Sequence, residues 1–188
     1  MIIIGITGTL GAGKGTIVEY LKSKGFNHFS ARQFLTDEAA KRGLTLAGRT
    51  GGNNTLHDLA NELRRISPTY LADALYDLAK GSGGNGVIES FHTPGEVLAL
   101  RERGNFVLFA IDADIAKRYE WIKSRGTLTD NVTLEQFKKD NEFEIANTNP
   151  NEQNIGACIK LADYKFENSG TKEDLWRQVD AALAKIRP

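Results

Sequence analysis

The chain has 188 residues, enough for one domain with a core of ordinary size, and its 40% hydrophobic and 26% charged content is that of a globular protein. Lys plus Arg number 24 and Asp plus Glu 24, so the formal net charge of zero offers neither a global basic surface for nucleic acid nor an acidic disordered tail. No apolar run reaches the roughly 18 residues of a membrane span, and the single cysteine, Cys158, excludes an intramolecular disulfide.

Met1-Ile2-Ile3-Ile4-Gly5-Ile6 is too short for a signal-peptide core and carries no basic leader. The β-branched run over residues 2–7 reads instead as a central parallel strand, buried on both faces, in a cytoplasmic protein. A glycine-rich turn leads into a helix over residues 14–24 stopped by Gly25, then a short strand over 27–30 and a helix over 32–42 stopped by Gly43. Residues 43–54, rich in Gly, Thr and Asn, read as a loop. Leu56, Leu59, Ala60, Leu63 and Ile66 recur at helical spacing, and Leu71, Ala74, Leu75 and Leu78 mark a further helix over 69–80. After the glycine-rich connector 81–86, Val87-Ile88 starts a third buried strand that ends at Glu89.

Thr93-Pro94-Gly95-Glu96 has the form of a capping box with proline at the first helical position. It opens a helix to about residue 103. Residues 106–111 are the clearest strand. A helix over 114–125 puts Ile115, Tyr119 and Ile122 on one face, and a second capping box, Thr133-Leu134-Glu135-Gln136, opens a helix to about residue 146. Residues 150–161 are expected to be helical, and Cys158 there, among Ile155, Ile159 and Leu161, reads as a buried structural thiol. Residues 164–167 form the last strand. A closing helix over 171–186 turns Leu175, Val179, Ala182, Leu183 and Ile186 to the core.

Strands alternating with helices predict an α/β domain over residues 1–188, with three layers and a parallel sheet of about five strands joined by right-handed crossovers. The helix pairs between strands are too long for simple crossovers. They predict two flaps at the carboxyl edge of the sheet, where ligands bind in such folds: an acceptor-binding flap over about 31–80 and a helical lid over about 118–146.

Gly8-Thr9-Leu10-Gly11-Ala12-Gly13-Lys14-Gly15-Thr16 follows a predicted strand and opens a predicted helix, the context that a P-loop requires. Its glycines let successive N–H groups converge on one point, and the helix N-terminus adds partial positive charge. Lys14 can reach the outer phosphates and follow their charge through the transition state. The general pattern has Ser or Thr directly after the lysine; here Gly15 intervenes and Thr16 is next.

The Gly-Lys-Gly-Thr form resembles adenylate kinase and its nucleoside monophosphate kinase relatives. Gly5-Ile6-Thr7-Gly8, Val87-Ile88-Glu89, Arg118-Tyr119-Glu120, Ser124-Arg125-Gly126 and Leu161-Ala162-Asp163-Tyr164 are similar to the dephospho-CoA kinase-like group of archaea. The resemblance implies a P-loop kinase using ATP and Mg2+. Residues 9–16 and Asn168 would bind ATP, the last in the Asn168-Ser169-Gly170 loop that holds the base. Glu89 matches the acid that ends the third strand, and with Thr16 it would hold the metal, through water in the case of Glu89. Lys14, Glu89, Arg118 and Arg125 would carry the chemistry, with Arg118 and Arg125 sharing a helix face and Lys139 on the next helix of the lid. Relatives place an arginine after the third-strand acid to hold the acceptor; here His92 stands there. Ala31-Arg32-Gln33 replaces a Gly-Asp-like step. Arg32, Arg64 and His92 are therefore the candidates for a rewired acceptor pocket.

These residues predict transfer of a phosphoryl group to a nucleotide or nucleotide-like small molecule, by a monomer or homodimer acting without nucleic acid or membrane. A plain NTPase or a non-catalytic nucleotide-binding regulator is the alternative. No Asn-Lys-x-Asp guanine signature is present, nor HExxH spacing among His28, His57 and His92, nor a Gly-x-Ser-x-Gly elbow.

Overall fold

A computed structural model describes residues 1–44, 55–126, 132–146 and 154–186. Five strands, β1 (Ile3–Gly8), β2 (Asn27–Phe29), β3 (Gly86–Glu89), β4 (Phe106–Asp112) and β5 (Tyr164–Glu167), form one sheet in the order β2-β3-β1-β4-β5. Every pairing is parallel. β1 lies between β3 and β4, and the chain turns first to one side of it and later to the other. The crevice at a carboxyl edge opens where the winding reverses in this way, so the end of β1 is where a ligand is expected.

Side chains of the strands alternate between two cores. Phe106 and Leu108 of β4 enter one, with Ile3 and Ile88; Phe109 and Ile111 enter the other, with Ile4, Ile6 and Val87. The second core is closed by α1 (Lys14–Ser23) and α9 (Lys172–Leu183). The first is closed by α2 (Ala31–Lys41), α3 (Thr55–Ile66), α4 (Tyr70–Gly81), α5 (Pro94–Glu102) and α8 (Ile155–Leu161). Cys158 is fully buried there, and its thiol is pushed up to about 12 by burial, which leaves it unreactive. Two helices, α6 (Ile115–Arg125) and α7 (Leu134–Ala146), fill the stretch predicted as a lid. Among the described residues no helix is long and apolar enough to cross a membrane.

Gly5, at the middle of β1, leaves room for two rings. A Cβ there would lie 2.6 Å from Phe106 and 2.9 Å from Phe91, which pack together at 5.4 Å between centroids. The Thr93 capping box forms with both of its halves. At Thr133 only one half forms: the hydroxyl accepts from Gln136 N, but the Gln136 amide turns to Asp140 one helical turn on. Leu78 is 52% exposed, because α4 turns Leu71, Leu75 and Ala79 to the sheet, and Ile66, at the end of α3, is 67% exposed. The helix expected from residue 150 begins at Ile155, where Asn154 caps it through Ala157 N. Residues 45–54 of the predicted loop, 127–131 of the lid and 150–153 lie outside the described residues.

Candidate functional site

β1 runs into a loop whose shape its glycines dictate. Gly11 has φ +78 and Gly13 φ +102, left-handed conformations that side chains resist. A Cβ would also be crowded, at 2.7 Å from Ile122 over Gly11 and 2.5 Å from the Asn168 amide over Gly13. Gly13 is the N-cap of α1 and brings no side-chain acceptor, so no side chain caps the first N–H groups of α1. Such groups, with the helix dipole behind them, form an anion seat. Beside them, nothing stands within 4 Å of where a Cβ of Gly15 would be.

The loop is braced from below and from both sides. Asn168, after β5, donates through Nδ2 to Ala12 O at 2.8 Å, and its own N–H bonds Asp112 O at 2.8 Å. Thr9 is buried, with its hydroxyl on Asp112 Oδ1 at 2.5 Å; it supports the loop and does not line the cleft. Lys14 folds back over the loop and donates to Gly8 O at 2.8 Å and Thr9 O at 3.0 Å. Burial lowers its ammonium to about 8; Glu144 and Glu89 oppose that shift, while Arg118 and Arg125 add to it.

A cleft of about 660 Å³ opens over this loop. Residues 10–16, Glu89, Arg125 and Asn168 line it, as do Gly170 of the expected base loop, Ile122 of the apolar face of the helix, and Trp121 and Lys172, which were not singled out in the sequence. Trp121 and Arg125 lie four residues apart on α6 and so share its cleft-facing side. The register of β3 on β1 pairs Glu89 with Ile6 and brings the carboxylate to the loop. Ser30 Oγ donates to Glu89 Oε1 at 2.9 Å, and His28 Nε2 lies 3.3 Å from the same oxygen. Ser90, next in the chain, takes φ 71, a left-handed conformation that is costly for a non-glycine residue and recurs at functional sites.

Arg118 departs from the expectation of a lid cation. It is 3% exposed and turned behind the loop. Its Nε donates to Ala113 O at 2.9 Å and one terminal nitrogen to both Leu10 O at 3.0 Å and Asn141 Oδ1 at 2.8 Å. Its guanidinium also lies over the Phe137 ring at 5.7 Å and 3.6 Å from Asp112. The apolar face of α6, with Ile122, takes Arg118 inward and leaves Arg125 in the cleft. Lys139 also departs: it is exposed and pairs with Glu135 at 3.0 Å one turn earlier on α7, so it is not brought to the cleft.

Of the residues expected to bind the acceptor, Arg32 is exposed on α2 and lines none of the cleft. Arg64 and His92 gather around Glu96. Arg64 Nε lies 3.8 Å from Glu96 Oε1, and Glu96 Oε2 accepts from His92 N and Thr93 N at 3.3 and 3.2 Å. Burial raises the Glu96 carboxyl, with Arg64 acting against it. Burial, then Lys14, then Arg64 push the His92 imidazole down to about 3, so it is neutral where an arginine was expected from the resemblance. Arg64 Nε and His92 Nδ1 are buried with no hydrogen-bond partner among the described residues.

No group of three or more His, Cys, Asp or Glu side chains is placed to hold a metal among the described residues. Magnesium keeps several waters and takes one or two protein oxygens beside phosphate. The Glu89 carboxylate and the Thr16 hydroxyl, both in the cleft, are the donors that fit.

A family model described as an AAA domain matches residues 4–146. The UPF0200 protein of Methanocaldococcus jannaschii is 30% identical over 99% of this chain and 91% of its own length. That of Thermococcus kodakarensis is 30% identical over 99% of this chain and 98% of its own. Among solved structures, shikimate kinase from Acinetobacter baumannii, in complex with shikimate, superposes with a TM-score of 0.59 at 15% identity, over 100% of this chain and 96% of that one. Dephospho-CoA kinase from Campylobacter jejuni gives a TM-score of 0.57 at 14% identity, over 97% and 96% of the two chains. The likeness to these enzymes is one of fold.

Proposed function

The chain belongs to the AAA-domain family of P-loop proteins and to the UPF0200 proteins, and from that membership we propose that it is an ATP-dependent phosphotransferase acting on a nucleotide or nucleotide-like small molecule. One observation carries this reading: a P-loop whose helix has no side-chain cap opens, with Lys14 and Glu89, into a cleft of about 660 Å³. A cleft of that size takes a nucleotide. The kinase neighbours in fold support the reading further.

Each residue has a task in such a transfer. The N–H groups at the start of α1 hold the phosphates, and Lys14 leaves the Gly8 and Thr9 carbonyls to follow the moving charge. Arg125, at the mouth of the cleft, neutralises charge on the transferred group. Trp121 offers a flat face to the base, and Asn168 fixes the loop that meets it. Glu89, steadied by Ser30, orients the acceptor. Where the acceptor atom is a hydroxyl, a P–O bond forms to its oxygen and its proton passes to the Glu89 carboxylate; the bond from the γ-phosphorus to the bridging oxygen breaks, and the electron pair leaves with the nucleoside diphosphate. Magnesium held by Glu89 and Thr16 would neutralise phosphate charge. Arg64 and His92 bind the acceptor, a small nucleotide or nucleotide-like molecule such as a nucleoside monophosphate or dephospho-CoA. Arg118 positions the loop from behind.

The test is ADP release from ATP and magnesium by the purified chain, screened against ribo- and deoxynucleoside monophosphates, dephospho-CoA and a no-acceptor control. Strong stimulation by one acceptor is expected. Equal release in every well would make the protein a plain NTPase, and binding without release a nucleotide-dependent regulator.

A further inference from the structure

Two side chains at the end of β2 reach the carboxylate that ends β3. The parallel register pairs Asn27 with Gly86, His28 with Val87 and Phe29 with Ile88. Phe29 and Ile88 turn to the first core and Val87 to the second, so alternation puts His28 and Glu89 on one face of the sheet. Ser30, just past the strand, donates from Oγ to Glu89 Oε1 at 2.9 Å and caps α2 by accepting from Gln33 N at 3.4 Å. Its one proton is thereby committed to Glu89. His28 Nε2 lies 3.3 Å from the same Oε1, is buried, and completes no hydrogen bond among the described residues. It is within reach but misaligned, the state in which catalytic hydrogen bonds are often found before a ligand closes the site. The nitrogen carries a proton there, because a bare lone pair would otherwise face a carboxylate oxygen. No donor among the described residues holds Glu89 Oε2, and Glu89 lines the cleft.

We infer that His28 is a positioning residue: with Ser30 it holds Glu89 by Oε1 and so presents Oε2 to the attacking oxygen of the acceptor. The inference rests on the phosphotransferase reading of the cleft. The last torsion of a glutamate side chain is broad, so a single donor at Oε1 leaves the carboxylate free to turn about that one bond. A second donor from the same strand fixes its plane. In the transfer the acceptor's O–H proton passes to Oε2. The electron pair left on that oxygen forms the new P–O bond, and the bridging P–O bond breaks with its pair going to the nucleoside diphosphate. Such a step depends on aim, because a misplacement of about 1 Å costs about 10²-fold in rate. His28 touches neither nucleotide nor acceptor and acts only through the carboxylate.

The experiment reads this aim without the natural acceptor. Calorimetry measures binding of ADP with magnesium, and then of ADP with magnesium and aluminium fluoride, which mimics the phosphoryl group in flight with water as the attacking oxygen. It uses the intact chain, His28→Leu, and His28→Gln, whose amide keeps an N–H donor near the place of Nε2. The wild type is expected to bind ADP more tightly when aluminium fluoride is present. His28→Leu is expected to lose about ten- to a hundredfold of that gain while its affinity for ADP alone holds, and His28→Gln to recover most of it. A gain that survives in His28→Leu, or equal weakening of both ligands, makes His28 a structural residue and overturns the inference. ADP binding with no gain in the wild type also overturns it and leaves the nucleotide site standing. No binding of ADP by the wild type overturns both.

Discussion

The guanidinium of Arg118 donates to the carbonyl of Leu10 across 108 residues of sequence, at 3.0 Å, and thereby fixes the crest of the phosphate loop to α6. The same nitrogen holds Asn141 of α7 at 2.8 Å, so the loop and α7 meet on one buried cation. Removing it leaves Leu10 O, Ala113 O and Asn141 without their donor. Arg118→Met is expected to lose about 3 kcal/mol of stability in urea unfolding. Arg118→Lys, which keeps the charge without the fork, recovers only part.

Lys14→Ala removes the side-chain cation of the loop together with its hydrogen bonds to Gly8 O and Thr9 O. Transfer is expected to fall by about 10²–10³-fold or more. The thermal unfolding midpoint is expected to change little, because relief of a desolvated ammonium offsets the loss of the two hydrogen bonds to Gly8 O and Thr9 O. A variant that turned over normally would remove the P-loop from the mechanism.

Nucleotide affinity should depend on pH through the same lysine. Burial sets the ammonium at about 8 in the free protein. Below that pH Lys14 is already charged and affinity sits on a plateau. Above it the anion must recruit a proton, and affinity falls by up to about tenfold per pH unit. The fold responds with the opposite sign. Between about 8 and the ordinary value of 10.5 the unfolded chain holds more protons, so the stability of the free protein rises with pH across that window. Calorimetry in buffers of different ionisation enthalpy reads the proton taken up on binding.

His92 should be silent as a titrating group near neutrality. With its imidazole near 3, its ring proton resonances stay flat from about pH 5 to about pH 8. Between the ordinary value of 6.5 and about 3 the unfolded chain takes a proton that the folded chain refuses. Stability is therefore lost as pH falls through that range, and His92→Gln flattens this part of the acid profile.

Trp121 is 37% exposed and lines the cleft, whereas Trp176 stacks on Tyr20 at 5.2 Å. Nucleotide is expected to quench the emission of Trp121. The quench should survive Trp176→Phe and vanish in Trp121→Phe.

The loop was legible in the sequence because its shape is local: glycines at positions that need left-handed backbone, a strand before and a helix after. The Thr93 box was legible for the same reason. The Thr133 box was legible only in half, since Gln136 has a rival partner in Asp140 on its own helix. Arg118 could have been read as buried, because Ile122 one turn on marks that face as apolar. Its partners could not, since Leu10 and Asn141 reach it only through the tertiary fold. Trp121 gave no local signal: an aromatic on an amphipathic helix reads as core, and its exposure depends on the cleft that the loop opens.

Gly5 governs the segment from Phe91 to His92 through an atom it lacks. Its missing Cβ is the volume into which Phe91 and Phe106 lean, and Phe91 is the residue that leads from the Glu89 turn to His92. Positions 5, 91 and 106 thus share a single allotment of space. A larger residue at 5 is compatible with this architecture only when one ring shrinks, and losing the ring at 91 would shift the segment that carries His92. Chains of this kind should therefore vary at the three sites in concert.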